Sequence, residues 1–334
     1  MEFFLKIAIV RLSAMGDIVH SAIVLQFIKN IYPKSEIDWI VEKSMSAILK
    51  DNNDIHKIIE VELKKFKKTK KISDLIEQIK IIKSLPKYDY IIDMQGLLKS
   101  ALITKFMKGD VYGFDKDSVR EGIASFFYKH KINMPYDANT IDRNVQVVSK
   151  SLNLGITSKD IYEKKPFLFY KNENKIIYDY LSKEKKNIIF VIGSTWPSRN
   201  YPKEKFVEIA NELKENILII WGNEQEKKDG EYIEQHSEFA TLVPRTDLNT
   251  LKALIAQCDL LIGNDTGPTH MAWAMNIPSI TIFGPTPISR VYITDINKVI
   301  KSPSVVNPYK LNKEDFSIKE IEATEICEIA KELL

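Results

Sequence analysis

Residues 259–286 have the sequence DLLIGNDTGPTHMAWAMNIPSITIFGPT, and this stretch decides the fold class of the chain. A short apolar run is followed by a loop of small polar residues, a helical segment and a second apolar run. Short apolar runs bounded by turn residues are typical of buried parallel strands, and a helix between two such strands forms a βαβ unit. The stretch therefore predicts two parallel strands, each with a polar loop at its carboxyl end, where ligands bind in such sheets.

The same alternation of strands and helices continues through both halves of the chain. In the first half, buried strands are predicted at LKIAIVR (5–11), IDWIVE (37–42) and YDYIIDMQG (88–96). Residues 154–171 lack strong periodicity and are our candidate linker, after which the alternation restarts with the strand and loop NIIFVIGST (187–195). Repeated units of this kind predict an α/β protein with two successive parallel sheets.

Length and composition indicate a folded protein of two domains. The chain has 334 residues, 44% of them hydrophobic and 28% charged, and domains commonly contain ~100–200 residues. Cys258 and Cys327 lie among apolar neighbours, which favours reduced thiols over a disulfide. No apolar run approaches the ~20 residues that span a bilayer, and we recognise no signal peptide, so we expect a cytoplasmic protein.

The positive charge of the chain is concentrated in one segment. The formal net charge is only +3, and we expect no nucleic-acid partner, but KKFKKTKK (64–71) holds six lysines in eight residues. Such a segment is commonly a solvated loop or helix face. It can also bind phosphates, either on a membrane surface or on an anionic substrate. Both interpretations stay open.

Two polar loops follow predicted strands in the first half. The loop RLSAMGD (11–17) lacks the GxGxxG pattern of dinucleotide-binding proteins. Asp17 stands where an aspartate commonly caps a helix, and the same carboxylate could act as a general base, a role typically worth ~10²–10⁴-fold in rate. Gly16 would let a substrate approach closely. In the loop after residues 88–96, Lys99 could pair with an anionic acceptor.

Two further loops in the second half suit a diphosphate. In GSTWPSRNYP (193–202), two hydroxyls and Arg199 could clamp phosphate oxygens, since arginine forms bidentate, charge-assisted bonds with them; a solvated turn is the alternative. In GNDTGPTHMA (263–272), a strand meets a helix N-terminus, whose free amides favour an anion. His270 is as readily structural as catalytic.

The sequence predicts no metal site. Asp115-Lys116-Asp117 matches the DxD metal pattern of some glycosyltransferases, but a match of three residues is common by chance and lies in the half without the presumed phosphate site. The five histidines, at positions 20, 56, 130, 236 and 270, do not have the spacing of metal ligands.

Taken together and in this order, the loops resemble those of the ADP-heptose:lipopolysaccharide heptosyltransferase family. The motifs that carry the resemblance are RLSAMGDIVHS (11–21), DMQGLLKSAL (93–102), GSTWPSRNYP (193–202) and GNDTGPTHMAWAMNIPSITIFGPT (263–286). The first two are more similar to heptosyltransferase I than to heptosyltransferase II. The resemblance covers nearly the whole chain, and the fourth motif is the most specific.

The resemblance implies a GT-B fold, in which two Rossmann-like domains face each other across a cleft. An acceptor-binding domain is expected at residues 1–155, a nucleotide-sugar-binding domain at 156–315, and a C-terminal helix at 316–334 that crosses back to the first domain. The implied reaction is an inverting transfer of heptose from ADP-L-glycero-β-D-manno-heptose to a Kdo residue of Kdo₂-lipid A, in lipopolysaccharide inner-core biosynthesis. The implied enzyme needs no cofactor and acts as a peripheral protein at the cytoplasmic face of the inner membrane.

The resemblance also implies roles for single residues on the acceptor side. Asp17 matches the general base of the family, and Lys99, Arg120 and Arg143 are acceptor-binding candidates. The lysines of residues 64–71 fall in the region expected to meet the lipid A headgroup, although no single lysine can be assigned.

On the donor side, the implied contacts divide between the phosphates, the nucleoside and the sugar. Ser194 and Thr195 match phosphate-binding hydroxyls, and Arg199 stands where the family often has a lysine. Glu226 is expected on the ribose and Thr246 near the adenine. The donor-binding loop is matched by Asp265, Thr266, Gly267 and His270, with Asp265 on the sugar.

Three other interpretations remain open at this point. One is heptosyltransferase II, or a sugar-nucleotide epimerase on the same fold. Another is a hydride-transferring dehydrogenase, which the missing GxGxxG pattern disfavours. The last is a non-catalytic module that binds nucleotides or polyanions through the lysine-rich segment 64–71, and this module would bind in a salt-sensitive manner without turnover.

Overall fold

The computed structural model describes residues 4–334, except the side chain of Lys67, and the chain divides into two compact units between Phe167 and Leu168. The division lies inside the predicted linker but after the predicted boundary at residue 155. The reason is that the segment before it is held by the first unit. Gln26 exchanges two hydrogen bonds with the backbone of Lys165, and the Asn52 side chain donates to the carbonyl oxygen of Phe167 at 3.1 Å.

The first unit contains a six-stranded parallel sheet with the strand order β3-β2-β1-β4-β5-β6. The order reverses between β1 and β4, and ligands bind at such a switch point in open α/β sheets. The loops that carry Asp17 and Lys99 follow these two strands. The strands are β1 (Lys6–Val10), β2 (Glu36–Glu42), β3 (Lys57–Val61), β4 (Lys87–Asp93), β5 (Lys108–Phe114) and β6 (His130–Ile132).

Helices cover this sheet and bury its apolar strands. Central strand residues such as Ile9, Ile40 and Ile91 are fully buried, as the continuous apolar runs predict. The α-helices are α1 (Met15–Ala22), α2 (Val24–Ile31), α3 (Leu63–Thr69), α4 (Ile72–Lys83), α5 (Leu98–Lys105), α6 (Thr140–Leu152) and α7 (Ser158–Tyr162), and the 3₁₀ helices are Lys43–Ile48 and Gly122–Phe127.

The second unit repeats this plan, with six parallel strands in the order β12-β11-β10-β7-β8-β9. Its switch point lies between β7 and β10, the strands that precede the GSTWPSRNYP and GNDTGPTHMA loops. The strands are β7 (Asn187–Val191), β8 (Asn216–Ile220), β9 (Ala240–Leu242), β10 (Leu260–Asn264), β11 (Ser279–Phe283) and β12 (Asn297–Lys301). The stretch 259–286 thus forms a βαβ unit, as predicted.

The remaining helices pack on this second sheet. The α-helices are α8 (Lys203–Leu213), α9 (Glu224–His236), α10 (Leu248–Ile255), α11 (Gly267–Ala274) and α12 (Ala323–Leu333), and the 3₁₀ helices are Lys175–Tyr180, Pro197–Arg199, Ile288–Arg290 and Ser317–Glu320. The last helix, α12, packs against α8 and contributes Ile326 and Ala330 to the core of the second unit. Its predicted return to the first domain stays a prediction.

The two cysteines are not joined in a disulfide, and both lie in the protein interior. Cys258 and Cys327 are free and buried, and burial raises the pKa of both thiols, that of Cys327 to about 11. Among residues 4–334, no helix is both long enough and apolar enough to cross a membrane.

Candidate active site

Asp17 lies in the first turn of α1, immediately after the loop that follows β1. Its Oδ2 accepts a hydrogen bond from the backbone N–H of Ala14 at 3.0 Å, and its Oδ1 is 3.0 Å from Nη2 of Arg11. The Asp17 side chain is 42% exposed, whereas the Arg11 side chain is 8% exposed. The carboxylate therefore caps the helix and still presents a face to solvent, so the capping and catalytic interpretations do not exclude each other.

Arg11 is the residue of this loop that sequence reasoning missed. Its Nη1 donates to the carbonyl oxygen of Met94, just after β4, while its Nη2 holds the carboxylate of Asp17. The backbone N–H of Leu12 adds a second tie, to Oε1 of Gln95 at 2.8 Å. Arg11 thus joins the two strand ends at the switch point. The sequence signal that could have identified Arg11 is a cation at the end of a buried apolar strand.

Asp93, at the end of β4, shapes the loop that carries Lys99. Its buried carboxylate accepts hydrogen bonds from the backbone N–H groups of Gln95 and Gly96, at 2.8 and 3.3 Å, and from the Tyr128 hydroxyl at 2.8 Å. Burial raises the pKa of Asp93 above its ordinary value in spite of these hydrogen bonds. Asp93 is therefore a support for the loop rather than a residue that faces a substrate.

Lys99 lies against the loop that carries Asp17. Its Nζ donates to the Ser13 hydroxyl at 3.0 Å. Partial burial lowers the pKa of Lys99, and the neighbouring cations Lys64 and Arg11 lower it further, against Glu42 and Glu121. The structure therefore brings one predicted acceptor-side cation to the candidate base.

Arg143 and Arg120 are connected through the loop after β5. Arg143, on α6, donates to the carbonyl oxygens of Tyr136 and Ser118, and its guanidinium lies 5.1 Å from the ring centre of Phe114. Arg143 thus anchors the backbone two residues before Arg120, which is exposed. The acceptor roles of both arginines stay predictions.

The lysine-rich segment 64–71 forms α3 and the turn that follows it. Lys64 Nζ donates to Ser44 Oγ at 3.2 Å, and Lys65 Nζ lies 3.3 Å from Asp74 Oδ1. Lys68, Lys70 and Lys71 are exposed, and the side chain of Lys67 lies outside the described part of the structure. A solvated face and a headgroup-binding segment are both compatible with these contacts, so both stay predictions.

In the second unit, Asp265 is the centre of a buried polar network at the end of β10. Its carboxylate is 2% exposed and accepts from Arg199 Nη2 at 2.8 Å and from Thr286 Oγ1 at 2.9 Å. His270 Nε2 lies 3.2 Å from Asp265 Oδ1, and Arg290 Nη1 lies 3.8 Å from Asp265 Oδ2. Arg199, Asp265 and His270, predicted from two separate motifs, therefore meet in one cluster.

Burial and neighbouring charges have opposing effects on the pKa of Asp265 and on that of Arg199. Burial alone raises the pKa of Asp265, but the His270 hydrogen bond and the charges of Arg199, His270 and Arg290 outweigh it, so the pKa lies well below its ordinary value. Burial lowers the pKa of Arg199, and the negative charge of Asp265 raises it by less. Asp265 is therefore a carboxylate held by its neighbours.

Arg199 differs from the open phosphate clamp that its loop predicts. Its side chain is 10% exposed, and its guanidinium donates to the carboxylate and also to the backbone carbonyl oxygen of Asp265. Arg290, in the loop after β11, is 36% exposed and presents a more open positive charge beside the same carboxylate. Sequence reasoning missed Arg290, although its loop follows a strand at the same sheet edge.

Asn264 joins the loops around this cluster. Its side-chain amide donates to the carbonyl oxygen of Ile192 at 2.7 Å, and its Oδ1 accepts from the backbone N–H of Tyr201 at 2.9 Å. Ser194 Oγ lies 2.7 Å from Asn200 Oδ1 within the same loop, and Thr195 is exposed. The ends of β7 and β10 are thus fixed to each other, and the Thr195 hydroxyl remains at the surface.

Glu226 lies against the glycine that opens the β7 loop. Its two carboxylate oxygens accept from the backbone N–H of Gly222 and from Asn223 Nδ2, both at 2.6 Å. A Cβ placed on Gly193 would lie 2.1 Å from the Glu226 carboxyl carbon, so only glycine allows this approach. Thr246 is half-buried in the loop between β9 and α10.

Within residues 4–334, no group of three or more His, Cys, Asp or Glu side chains is placed to hold a metal ion. Asp115, in the DxD-like sequence, instead accepts from Ser118 Oγ at 2.6 Å and from Asn133 Nδ2 at 2.7 Å.

Comparison with known proteins connects these loops to one enzyme family. The model of glycosyltransferase family 9 (heptosyltransferase) matches residues 79–316. This chain belongs to that family. Lipopolysaccharide heptosyltransferase 1 of Campylobacter coli is 37% identical to it over 348 residues, which cover 98% of this chain and 99% of that protein. The chain is therefore a glycosyltransferase of the lipopolysaccharide heptosyltransferase family, as the motifs predicted.

Solved structures of family members have the same fold. The Escherichia coli heptosyltransferase WaaC, solved with ADP-2-deoxy-2-fluoro heptose, matches 99% of this chain and 100% of its own with a TM-score of 0.79 at 22% identity. The E. coli ADP-heptose lipopolysaccharide heptosyltransferase II matches 98% of each chain with a TM-score of 0.74 at 19% identity. The predicted GT-B fold and the greater similarity to heptosyltransferase I are confirmed.

Proposed function

We propose that this heptosyltransferase moves L-glycero-D-manno-heptose from ADP-heptose to a Kdo residue of Kdo₂-lipid A, with inversion at the anomeric carbon. The observation that carries the proposal is the difference among the predicted site carboxylates. Asp265 is 2% exposed and held by several donors, whereas Asp17, although bound by Arg11 and Ala14, is 42% exposed. This exposure supports Asp17 rather than Asp265 as the group that takes the proton of an acceptor hydroxyl.

The exposure of the Asp17 carboxylate supports a single displacement. Asp17 takes the proton of an acceptor hydroxyl as the hydroxyl oxygen attacks the anomeric carbon of the donor. The bond from that carbon to the diphosphate oxygen breaks, and ADP leaves from the opposite face with the electron pair. A retaining double displacement would need a further carboxylate as nucleophile, and Asp265 is buried and held by Arg199 and Thr286.

The second unit supplies the groups that would stabilise the leaving diphosphate. The backbone N–H groups of Gly267 and Thr269 at the N-terminus of α11, and the exposed part of Arg290, offer positive charge at the end of β10. The hydroxyls of Ser194 and Thr195 lie in the adjoining loop. Arg199 acts mainly by holding Asp265, which we propose contacts the donor sugar together with Thr266 and His270.

We assign the donor and the acceptor to different units. We propose that the first unit binds the acceptor near Lys99, Arg120 and Arg143, and that the second unit binds the nucleotide sugar. WaaC, which has this fold, was solved with an ADP-heptose analogue, which supports the donor assignment. The donor is a substrate, and the proposed reaction requires no cofactor.

Gly193 offers a sharp test of the nucleotide site. We expect Gly193→Ala to weaken ADP binding by roughly tenfold, because the new methyl group displaces the Glu226 carboxylate from its proposed place on the ribose. Isothermal titration with ADP measures the change. Gly222→Ala is the matched control, because its Cβ would lie 3.3 Å from Glu226 Oε2 and requires only a small shift. Equal affinities of wild type and Gly193→Ala would remove Glu226 from the site.

Arg11 provides a test of how Asp17 is positioned. We expect Arg11→Met to lower turnover by roughly 10–100-fold, because the Asp17 carboxylate loses its partner and the tie to Met94 is lost. Arg11→Lys keeps a charge beside Asp17 and should retain more activity. Steady-state ADP release, with the thermal midpoint as a folding control, measures both. If Arg11→Met is folded and fully active, Arg11 does not position the base.

The reaction itself is tested by ADP release from ADP-heptose with and without Kdo₂-lipid A, together with mass spectrometry of the lipid. Acceptor-dependent ADP release and one added heptose are the expected results. Transfer only to an acceptor that already carries a heptose would contradict the proposed acceptor and indicate a heptosyltransferase II. Donor binding without transfer to either lipid would contradict both acceptor assignments.

A further inference from the structure

Two neighbouring elements of the first unit leave large apolar side chains in solvent. On α5, Leu98 and Leu102 are 38% and 41% exposed, and on the 3₁₀ helix Gly122–Phe127, Ile123 and Phe126 are 59% and 77% exposed. We refer to these four side chains as the apolar patch. Large apolar side chains exposed on packed neighbouring elements commonly mark an interaction site.

The spacing of the four residues places each pair on one side of its helix. Leu98 and Leu102 are four apart on an α-helix, and Ile123 and Phe126 are three apart on a 3₁₀ helix, so the members of each pair are neighbours. The two helices pack together, and the backbone N–H of Leu98 donates to Glu121 Oε2 at 2.8 Å. The opposite sides of both helices are buried, so these apolar side chains are not needed for the core.

Basic residues surround the apolar patch and give it a positive rim. Lys131 Nζ lies 5.8 Å from the ring centre of Phe126, and Lys105 Nζ lies 5.7 Å from that of Phe127. Lys99 directly follows Leu98 in sequence, Arg120 lies three residues before Ile123, and Lys129 is also exposed.

Two acidic residues that contact the apolar patch or its rim, Glu121 and Asp110, are already engaged. Glu121 is bound to the Leu98 amide, and Asp110 is paired with Lys129 at 2.7 Å and with His130 at 3.4 Å. The rim therefore keeps an excess of positive charge around exposed aliphatic and aromatic side chains.

We infer that the apolar patch and its basic rim form a membrane-docking surface that inserts into the headgroup region of an anionic bilayer. Apolar and aromatic side chains enter the interface while lysines remain among the lipid phosphates. A second copy of the chain is a poorer occupant, since two copies joined through the same surface would bring their basic rims together.

The apolar patch lies beside the residues proposed to bind the acceptor. The role that we infer from this position rests on the proposed lipid acceptor. Leu98 directly precedes Lys99, whose Nζ contacts Ser13 in the loop that leads to Asp17. A bilayer held against α5 would bring the headgroup of a membrane lipid towards the candidate base without removing the lipid from the membrane.

The inference is tested by flotation of the full chain with vesicles, in the absence of donor and acceptor. We use phosphatidylethanolamine with phosphatidylglycerol for anionic vesicles and phosphatidylcholine for neutral ones. The wild type should bind the anionic vesicles, more weakly at high salt, and Phe126→Ser should bind them roughly tenfold more weakly because one large apolar side chain no longer inserts. Val305→Ser is the control, since Val305 is 98% exposed in the second unit and should bind as wild type.

Several outcomes would overturn the inference. One is a wild type that does not bind anionic vesicles, and another is a Phe126→Ser variant that binds them as the wild type does. The others are an equal loss of vesicle binding in Val305→Ser, and a dimer that the Phe126→Ser substitution dissociates. Failure of the proposed function is distinguishable, because the vesicle assay contains no substrate. If the acceptor is Kdo₂-lipid A, Phe126→Ser should turn over detergent-dispersed acceptor normally and vesicle-embedded acceptor more slowly.

Discussion

Asp17→Asn should lower the turnover number by roughly 10²–10⁴-fold, with a small loss of stability because Arg11 loses its ionic partner. Asparagine cannot take the proton of an acceptor hydroxyl, so the proposed displacement loses its base. Its side-chain oxygen can still accept the backbone N–H of Ala14, which now bonds to Asp17 at 3.0 Å. The cap of α1 is thus preserved, and a loss of activity would report chemistry rather than unfolding.

The measurement is acceptor-dependent ADP release by Asp17→Asn, with the thermal midpoint taken from the same preparations. Asp117→Asn is the matched control, because Asp117 is an exposed aspartate of the same unit and should be neutral. ADP affinity should be unchanged in both variants, since the nucleotide is proposed to bind the second unit. A folded Asp17→Asn enzyme with near-normal turnover would rule out Asp17 as the general base.

Asp265→Ala should destabilise the second unit by about 3–5 kcal/mol, because it leaves the buried charge of Arg199 without its partner. The Arg199 side chain is 10% exposed and Asp265 is 2% exposed, so water cannot readily replace the lost carboxylate. For a unit of this size, the change corresponds to a fall of roughly 10 °C in the unfolding midpoint. ADP-heptose binding should weaken as well, since the cluster at the end of β10 loses its centre.

Chemical denaturation of wild type and Asp265→Ala measures the stability difference. Glu231→Ala is the control, because Glu231 is half exposed and its ion pair with Lys227, at 3.7 Å, is worth ~0–1 kcal/mol. The double variant Asp265→Ala with Arg199→Met should regain part of the lost stability, since the buried Arg199 charge is removed together with its partner. Arg290 also loses its partner, but its side chain is 36% exposed to water. A single variant as stable as wild type would show that the buried ion pair does not hold these loops together.

The pH dependence of this difference has a definite sign. The pKa of Asp265 is depressed in the folded chain, so its contribution is fully present above its ordinary value of 3.8 and is lost as the pH falls towards the folded pKa. The gap between wild type and Asp265→Ala should therefore be constant between about pH 5 and 8 and shrink in stronger acid.

The sequence by itself determined the elements and the places where function would be found. Continuous apolar runs such as LKIAIVR predict buried parallel strands, and polar loops after such strands predict ligand sites at the carboxyl ends. Both follow from local patterns, namely periodicity over a few residues and the turn residues that interrupt it. The loops at 11–17, 193–202 and 263–272 do follow β1, β7 and β10.

Only the tertiary structure decided which side chains meet at those ends. Arg11 contacts the carbonyl oxygen of Met94, 83 residues away, and Arg199 contacts Asp265, 66 residues away. These contacts exist because β1 lies beside β4, and β7 beside β10, in their sheets. Strand order depends on the packing of the whole unit rather than on local pattern, so sequence reasoning placed Asp17 and Asp265 at their loops but missed that Arg11 and Arg290 accompany them.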